Sequence, residues 1–142
     1  MKFMIIIKAD KDIEAGILPT WEAIEKMGPF NAQLHKEGVL LACEGLRPSS
    51  KGTRVRFDEG RTTITDGPFA ETKELIAGFW IIEAKSREEV VERFAKAPFD
   101  KPTTIEIREF FQPEDFAGIV TPEQQARHDK VTLDDLKAAP PM

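Results

Sequence analysis

Two stretches of this chain, residues 3–8 and 76–84, are apolar on both faces when drawn as strands, and this narrows the folds open to it. Successive side chains of a strand point to opposite sides. Phe3, Ile5 and Ile7 therefore share one face and Met4 and Ile6 the other, while Phe79 and Ile81 oppose Trp80 and Ile82. A sheet of such strands needs cover on both sides. Two longer helices are predicted. The first spans residues 20–37, with Thr20 as N-cap, Glu22 in the first turn and Gly38 as the C-terminal glycine; Gly28-Pro29 predicts a kink or two stacked segments. The second runs from Ser86, in a capping box with Glu89, to about Ala97, where Pro98 stops it. Further strands are predicted at 39–46 and 103–110, and a hairpin at 53–57 and 62–65. This order reads as α+β, a ferredoxin-like plan with both helices on one face of an antiparallel sheet. The predicted cover for the other face is the same sheet of a second copy, a homodimer forming a dimeric α/β barrel.

At 142 residues the chain is long enough to bury a core. Residues 1–112 form the predicted domain, and residues 113–142 a polar, partly helical extension. Helix starts are expected there at Thr121-Pro122-Glu123-Gln124 and Thr132-Leu133-Asp134-Asp135. This extension either wraps a partner subunit or is loosely attached. The net charge of −5 argues against nucleic acid as a partner. No apolar run approaches the ~20 residues that span a bilayer, and the opening apolar segment is too short for a signal peptide. The single cysteine, Cys43, rules out an internal disulfide, and the expected setting is a reducing cytoplasm. Tyrosine is absent, so no phenol serves as acid or base.

The segment Asp66-Gly67-Pro68-Phe69-Ala70-Glu71-Thr72-Lys73-Glu74 carries the most local information. Gly67 permits positive φ, Pro68 fixes its own φ, and the pair fits neither common β-turn, so an unusual backbone is expected. Phe69 is expected to plug the loop into the core. Together with the following Gly78-Phe79, this segment resembles the signature of the YCII-related proteins called the DGPF family. Met1-Lys2-Phe3-Met4, Gly38-Val39-Leu40, Glu44-Gly45-Leu46-Arg47-Pro48 and Thr53-Arg54-Val55-Arg56 extend the resemblance over residues 1 to about 110. It implies the dimeric barrel already expected, and a possible link to sigma-factor-dependent transcription through protein contact. Some enzymes of the wider superfamily use a His–Asp pair with the histidine in the first helix. Here His35 comes late in that helix and no histidine precedes it.

Several residues can carry chemistry. Asp66 is read as a general base or ligand anchor at a cleft mouth, or as a turn cap. Glu44, on the predicted face of Leu40 and Ala42, is read as an acid–base group with a raised pKa, or as the ion-pair partner of Arg54 or Arg56 on a neighbouring strand. Arg54 and Arg56 share one strand face and can clamp an anionic group or form a solvated edge-strand face; Arg56 reads as the solvated edge, and both readings stay open for Arg54. Glu71 and Lys73 line the same rim, and Trp21 and Trp80 can wall an apolar pocket or be plain core. His35 and His128 read as structural, and Cys43 as a small core residue. No zinc-ligand spacing, phosphate loop or dinucleotide fingerprint is present. The expectation is a cofactor-free, metal-free protein that handles a small organic molecule, or a regulatory module that binds another protein.

Overall fold

A computed structural model describes residues 1–70 and 73–128. The chain divides into two units, Met1–Phe110 and Phe111–Met142. The first is α+β. Its elements are β1 (Lys2–Lys8), α1 (Lys11–Glu14), α2 (Trp21–Lys36), β2 (Leu40–Gly45), β3 (Thr53–Asp58), β4 (Arg61–Asp66), β5 (Ile76–Glu83), α3 (Arg87–Phe94) and β6 (Ile105–Glu109). β2, β5, β1 and β6 form an antiparallel sheet in that order, while β3 and β4 form a separate two-stranded ribbon.

The core lies between the sheet and the two longer helices. Phe3 and Ile5 of β1, and Trp80 and Ile82 of β5, meet Leu34 of α2 and Val90 and Phe94 of α3. Trp80 stands edge-on to Phe30, Phe94 and Phe99, with centroids 5.1–6.3 Å apart, and its indole N–H donates to Asn31 Oδ1 at 2.8 Å. That bond lets a polar atom go under cover without loss.

The expected caps form. Thr20 Oγ1 accepts from Ala23 N–H at 3.2 Å, and Ser86 Oγ from Glu89 N–H at 3.2 Å. Gly38 closes α2 with φ of +74°. Of the two outcomes expected at Gly28-Pro29, two stacked segments are not seen: α2 is one continuous helix through Pro29. Pro29 forfeits one backbone hydrogen bond, but Met27, Phe30 and Leu34 pack on the core on both sides of it. In the ribbon, Glu59 and Gly60 both have positive φ, 44° and 79°, as a two-residue hairpin turn requires.

The face away from the helices carries Met4, Ile6, Phe79 and Ile81. Ile81 is buried and the other three are half-buried. Beside them Glu106 bridges Lys8, at 3.4 Å, and Arg108. β2 has an irregularity between Leu40 and Ala42. Leu40 therefore pairs with Ile82 and packs on the core, while Ala42 and Glu44 pair with Ile81 and Phe79 on the open face. The reading that placed Leu40 on the face of Glu44 is corrected by that bulge.

In the second unit, a 3₁₀ turn at Pro113–Phe116 precedes α4 (Pro122–His128). Thr121 and Gln124 cap α4 reciprocally, at 2.9 and 3.2 Å. The helix start expected at Thr132 lies outside the described residues. No helix among them is long and apolar enough to cross a membrane.

Candidate functional site

The signature loop starts where β4 ends. Asp66 is exposed, and its Oδ1 accepts the Thr53 hydroxyl across the ribbon at 2.9 Å. The Gly67–Pro68 peptide is cis. Gly67 is not in the left-handed region; what it needs is space. A Cβ there would stand 1.7 Å from the Ser49 carbonyl oxygen and 2.6 Å from its carbon. No side chain fits such an approach.

Two residues that the sequence reading passed over hold this arrangement. The Glu14 carboxylate accepts both the Ser49 N–H, at 3.0 Å, and the Ser49 hydroxyl. Ser49 Oγ in turn accepts the Phe69 N–H at 3.0 Å, and Gly67 N–H donates to Gly52 O at 2.9 Å. Glu14 ends α1, a four-residue helix capped by Asp10, whose Oδ1 accepts Ile13 N–H at 2.8 Å. The Ile13 N–H bond, with the Lys101 ammonium 3.0 Å away, holds the Asp10 carboxyl below its ordinary range. A chain of charge-assisted and neutral hydrogen bonds thus ties α1, residues 49–52 and the signature loop together.

Phe69 is half-buried outside the core cluster, so it does not plug the loop into the core as expected. Its ring instead supports the Arg54 guanidinium, 3.9 Å from the centroid, a stacked arrangement worth about 0.5–1 kcal/mol at an exposed site. Among the described residues no carboxylate forms an ion pair with Arg54. Arg54 and Asp66 belong to adjoining strands, but the register puts them on opposite faces of the ribbon, Asp66 beside Val55 and Ile64, Arg54 beside Arg56.

Glu44 is exposed and lies on the sheet, not on the ribbon. The ion pair expected between Glu44 and Arg54 or Arg56 is therefore absent, because β3 pairs with β4 and not with β2; Arg56 instead meets Asp58 at 3.5 Å. Cys43, expected in the core, is exposed on the outer strand β2, and partial desolvation plus the Glu44 charge push its thiol up. Trp80 is 2% exposed, deep in the core, whereas Trp21 is 69% exposed in the first turn of α2. Lys73 is exposed, Glu71 lies outside the described residues, and His35 is exposed near the end of α2. The described residues contain no cluster of His, Cys, Asp and Glu fit to hold a metal ion. A hollow of 260 Å³ lies between α2 and α3, with Phe30, Leu34, Glu37 and Arg93 in its wall, and one of 180 Å³ lies within residues 113–125; neither holds Asp66 or Glu44.

Comparison with known proteins adds three findings. Over 55 residues the chain is 40% identical to an uncharacterized protein of Rhizobium meliloti (strain 1021), a match covering 39% of this chain and 44% of that one. The chain thus spans less than half the length of that curated relative. Among solved structures, the 5-chloro-2-hydroxyhydroquinone dehydrochlorinase of Burkholderia phenoliruptrix AC1100, in complex with 2,5-dihydroxybenzoquinone, is 19% identical; the match covers 80% of this chain and 98% of that one, with a TM-score of 0.36. A YCII-related domain is matched over residues 1–113, and on that match the chain belongs to the YCII-related family.

Proposed function

We infer that this YCII-related protein binds, and by acid–base chemistry transforms, a small anionic organic molecule without a cofactor, as a homodimeric α/β barrel of the ferredoxin-like type in the cytoplasm. The observation that carries the reading is the signature loop. It is held by Glu14 and Ser49. The loop and the ribbon that leads into it present an exposed carboxylate at Asp66 on one face and, on the other, the Arg54 guanidinium braced on Phe69. No carboxylate among the described residues pairs with this braced arginine, which suits it to a planar anion such as a substrate carboxylate. Asp66 then acts as general base or cation anchor, Glu44 supplies the second carboxylate from the sheet, and Glu71, Lys73 and Trp21 belong to its surroundings, while Trp80 stays in the core. A second copy closes the cleft by stacking on the face that carries Met4, Ile6, Phe79 and Ile81.

The test is a thermal-shift screen of a metabolite library, since a ligand that binds only the folded chain raises its apparent stability. A hit is then measured against Asp66→Asn, which keeps the acceptor for Thr53 but removes the charge. A cap tolerates the change at a cost of about 1 kcal/mol or less, whereas a base or anchor loses binding or turnover. An Asn variant of normal stability and undiminished binding assigns Asp66 to architecture alone.

A second reading, a regulatory module that works by protein contact, is favoured by one observation. Val55, Phe57 and Ile64 of the ribbon are 48%, 80% and 67% exposed. Capture of a defined regulatory protein, lost on replacing these three by serine, with no hit in the screen, favours it over the enzyme.

A further inference from the structure

Arg54 is exposed, and among the described residues its guanidinium is fixed by a ring rather than by a charge. A long side chain at an exposed site samples many rotamers, and a ligand that stops this motion binds less tightly for it. The affinity of Arg54 for an anion therefore depends on how firmly Phe69 stands. With the guanidinium 3.9 Å from the Phe69 centroid, one of its sides is covered and its N–H edge is left for the anion.

Phe69 is held at two points. Its Cε2 lies 3.6 Å from where a Gly52 Cβ would stand, so the ring sits against bare backbone. Its N–H donates to Ser49 Oγ at 3.0 Å. Ser49 opens the 3₁₀ turn Ser49–Lys51, which also sets Gly52, whose N–H donates to Ser49 O at 2.9 Å. A serine hydroxyl has one proton and two lone pairs, and it turns freely unless the proton is engaged. Here the proton goes to the Glu14 carboxylate, which accepts the Ser49 N–H as well. That leaves a lone pair directed at the Phe69 N–H. Three contacts thus lead from α1 to β3: Glu14 to Ser49, Ser49 to Phe69, and Phe69 to Arg54. α1 has no buried residue, so changing Glu14 leaves the core intact.

We propose that Glu14 is a positioning residue for anion binding at Arg54. Through Ser49 and Phe69 it holds the guanidinium in the orientation in which a substrate carboxylate meets its N–H edge, without touching that carboxylate. This role rests on the reading of Arg54 as an anion clamp and adds to it a residue, on another element, that sets the clamp's affinity.

The test uses the full chain labelled with ¹⁵N, and benzoate as the probe anion. The Arg54 Nε–H resonance is assigned by its loss in Arg54→Lys. The Phe69 ring is expected to shift its proton upfield, and Phe69→Leu gives the value without the ring. Glu14→Gln keeps one acceptor for Ser49 but turns a donor toward the other bond. The expected result is that Glu14→Gln and Ser49→Ala move the Arg54 resonance toward its Phe69→Leu value and weaken benzoate binding by about two- to tenfold. The sign is diagnostic: removing a carboxylate charge through space alone would strengthen the binding of an anion. Added to Phe69→Leu, Glu14→Gln is expected to weaken binding no further, since the relay is already broken. An unmoved Arg54 resonance in Glu14→Gln, unweakened binding, or losses that add in the double variant overturns the role of Glu14 and leaves the clamp standing. A wild-type Arg54 resonance that benzoate does not move removes the clamp, and the role of Glu14 in anion binding with it. Should Glu14→Gln fail to fold, Ser49→Ala carries the same expectations.

Discussion

Gly67→Ala isolates the packing that holds the signature loop. The new methyl would stand 1.7 Å from Ser49 O, 2.6 Å from Ser49 C and 3.3 Å from Ser50 N. All three are backbone atoms, so no side-chain rotation relieves the clash, and one strand of the loop must move by more than 1 Å to reach ordinary contact. Ser49 is held against that movement by Glu14 at its amide and hydroxyl, and by Phe69 N–H at its Oγ. Gly67 itself is held by Gly52 O. Losing the two neutral bonds costs about 0.5–1.5 kcal/mol each, and weakening the carboxylate bonds adds about 1–2 kcal/mol. The expected loss is about 3 kcal/mol, or a fall in Tm of about 10 °C for a chain of this size. Urea unfolding read by far-UV circular dichroism measures it. Gly28→Ala is the control of opposite sign. A Cβ there meets nothing within 4 Å in the middle of α2, so alanine is expected to stabilise by about 0.5–1 kcal/mol. A Gly67→Ala loss below about 1 kcal/mol would refute the claim that the loop is built around the Ser49 carbonyl.

Three further outcomes follow from the core and the caps. Asn31→Ala removes the acceptor of the buried Trp80 indole N–H and is expected to cost about 1–3 kcal/mol, with a shift in near-UV circular dichroism that an unaltered Trp80 environment would not give. Phe94→Ala, at a site 3% exposed and edge-on to both Phe30 and Trp80, should cost about 3–5 kcal/mol in urea; a loss under ~1 kcal/mol would mean that the aromatic cluster is not tightly packed. Asp10 has its carboxyl held below the ordinary 3.8, first by the Ile13 amide and then by Lys101. Its contribution is therefore present above that ordinary value and lost as the pH falls through the depressed one. Asp10→Asn keeps the cap but not the charge, and should flatten the acid limb of stability against pH while costing about 0.5 kcal/mol or less at pH 7; an unchanged acid limb would contradict the assignment.

The elements that the sequence made legible are those set by local chemistry. Thr20, Ser86 and Gly38 mark helix ends because their partners lie within four residues, and the ribbon's turn follows from Glu59-Gly60 for the same reason. The elements it hid depend on partners far along the chain. α1 is only four residues long, and the importance of Glu14 comes from Ser49, which nothing near Glu14 announces. The bulge in β2 leaves no mark in the pattern of residues 39–46, and plain alternation puts Leu40 and Glu44 on one face. Gly67 stands out in the sequence for its backbone freedom, whereas its need in the structure is space beside the Ser49 carbonyl across the loop. The apolar face of β1 and β5 was legible from alternation. The separate path of the ribbon was not, because alternation says nothing about which strand lies beside which.

The central position of β1 has a consequence for how the protein is made. β1 occupies residues 2–8, yet its hydrogen-bonding partners are β5, at 76–83, and β6, at 105–109. As the chain leaves the ribosome, its first strand, with Phe3 and Ile5 destined for full burial, has no neighbour until β5 emerges and no second neighbour until β6 does. α2 and the ribbon are synthesised in that interval and can form early, since their contacts are local. The sheet cannot. During translation the nascent chain therefore exposes an unpaired apolar strand until β5 and β6 have emerged, and chaperones that hold early apolar segments have more to act on here than in a fold in which β1 pairs with β2.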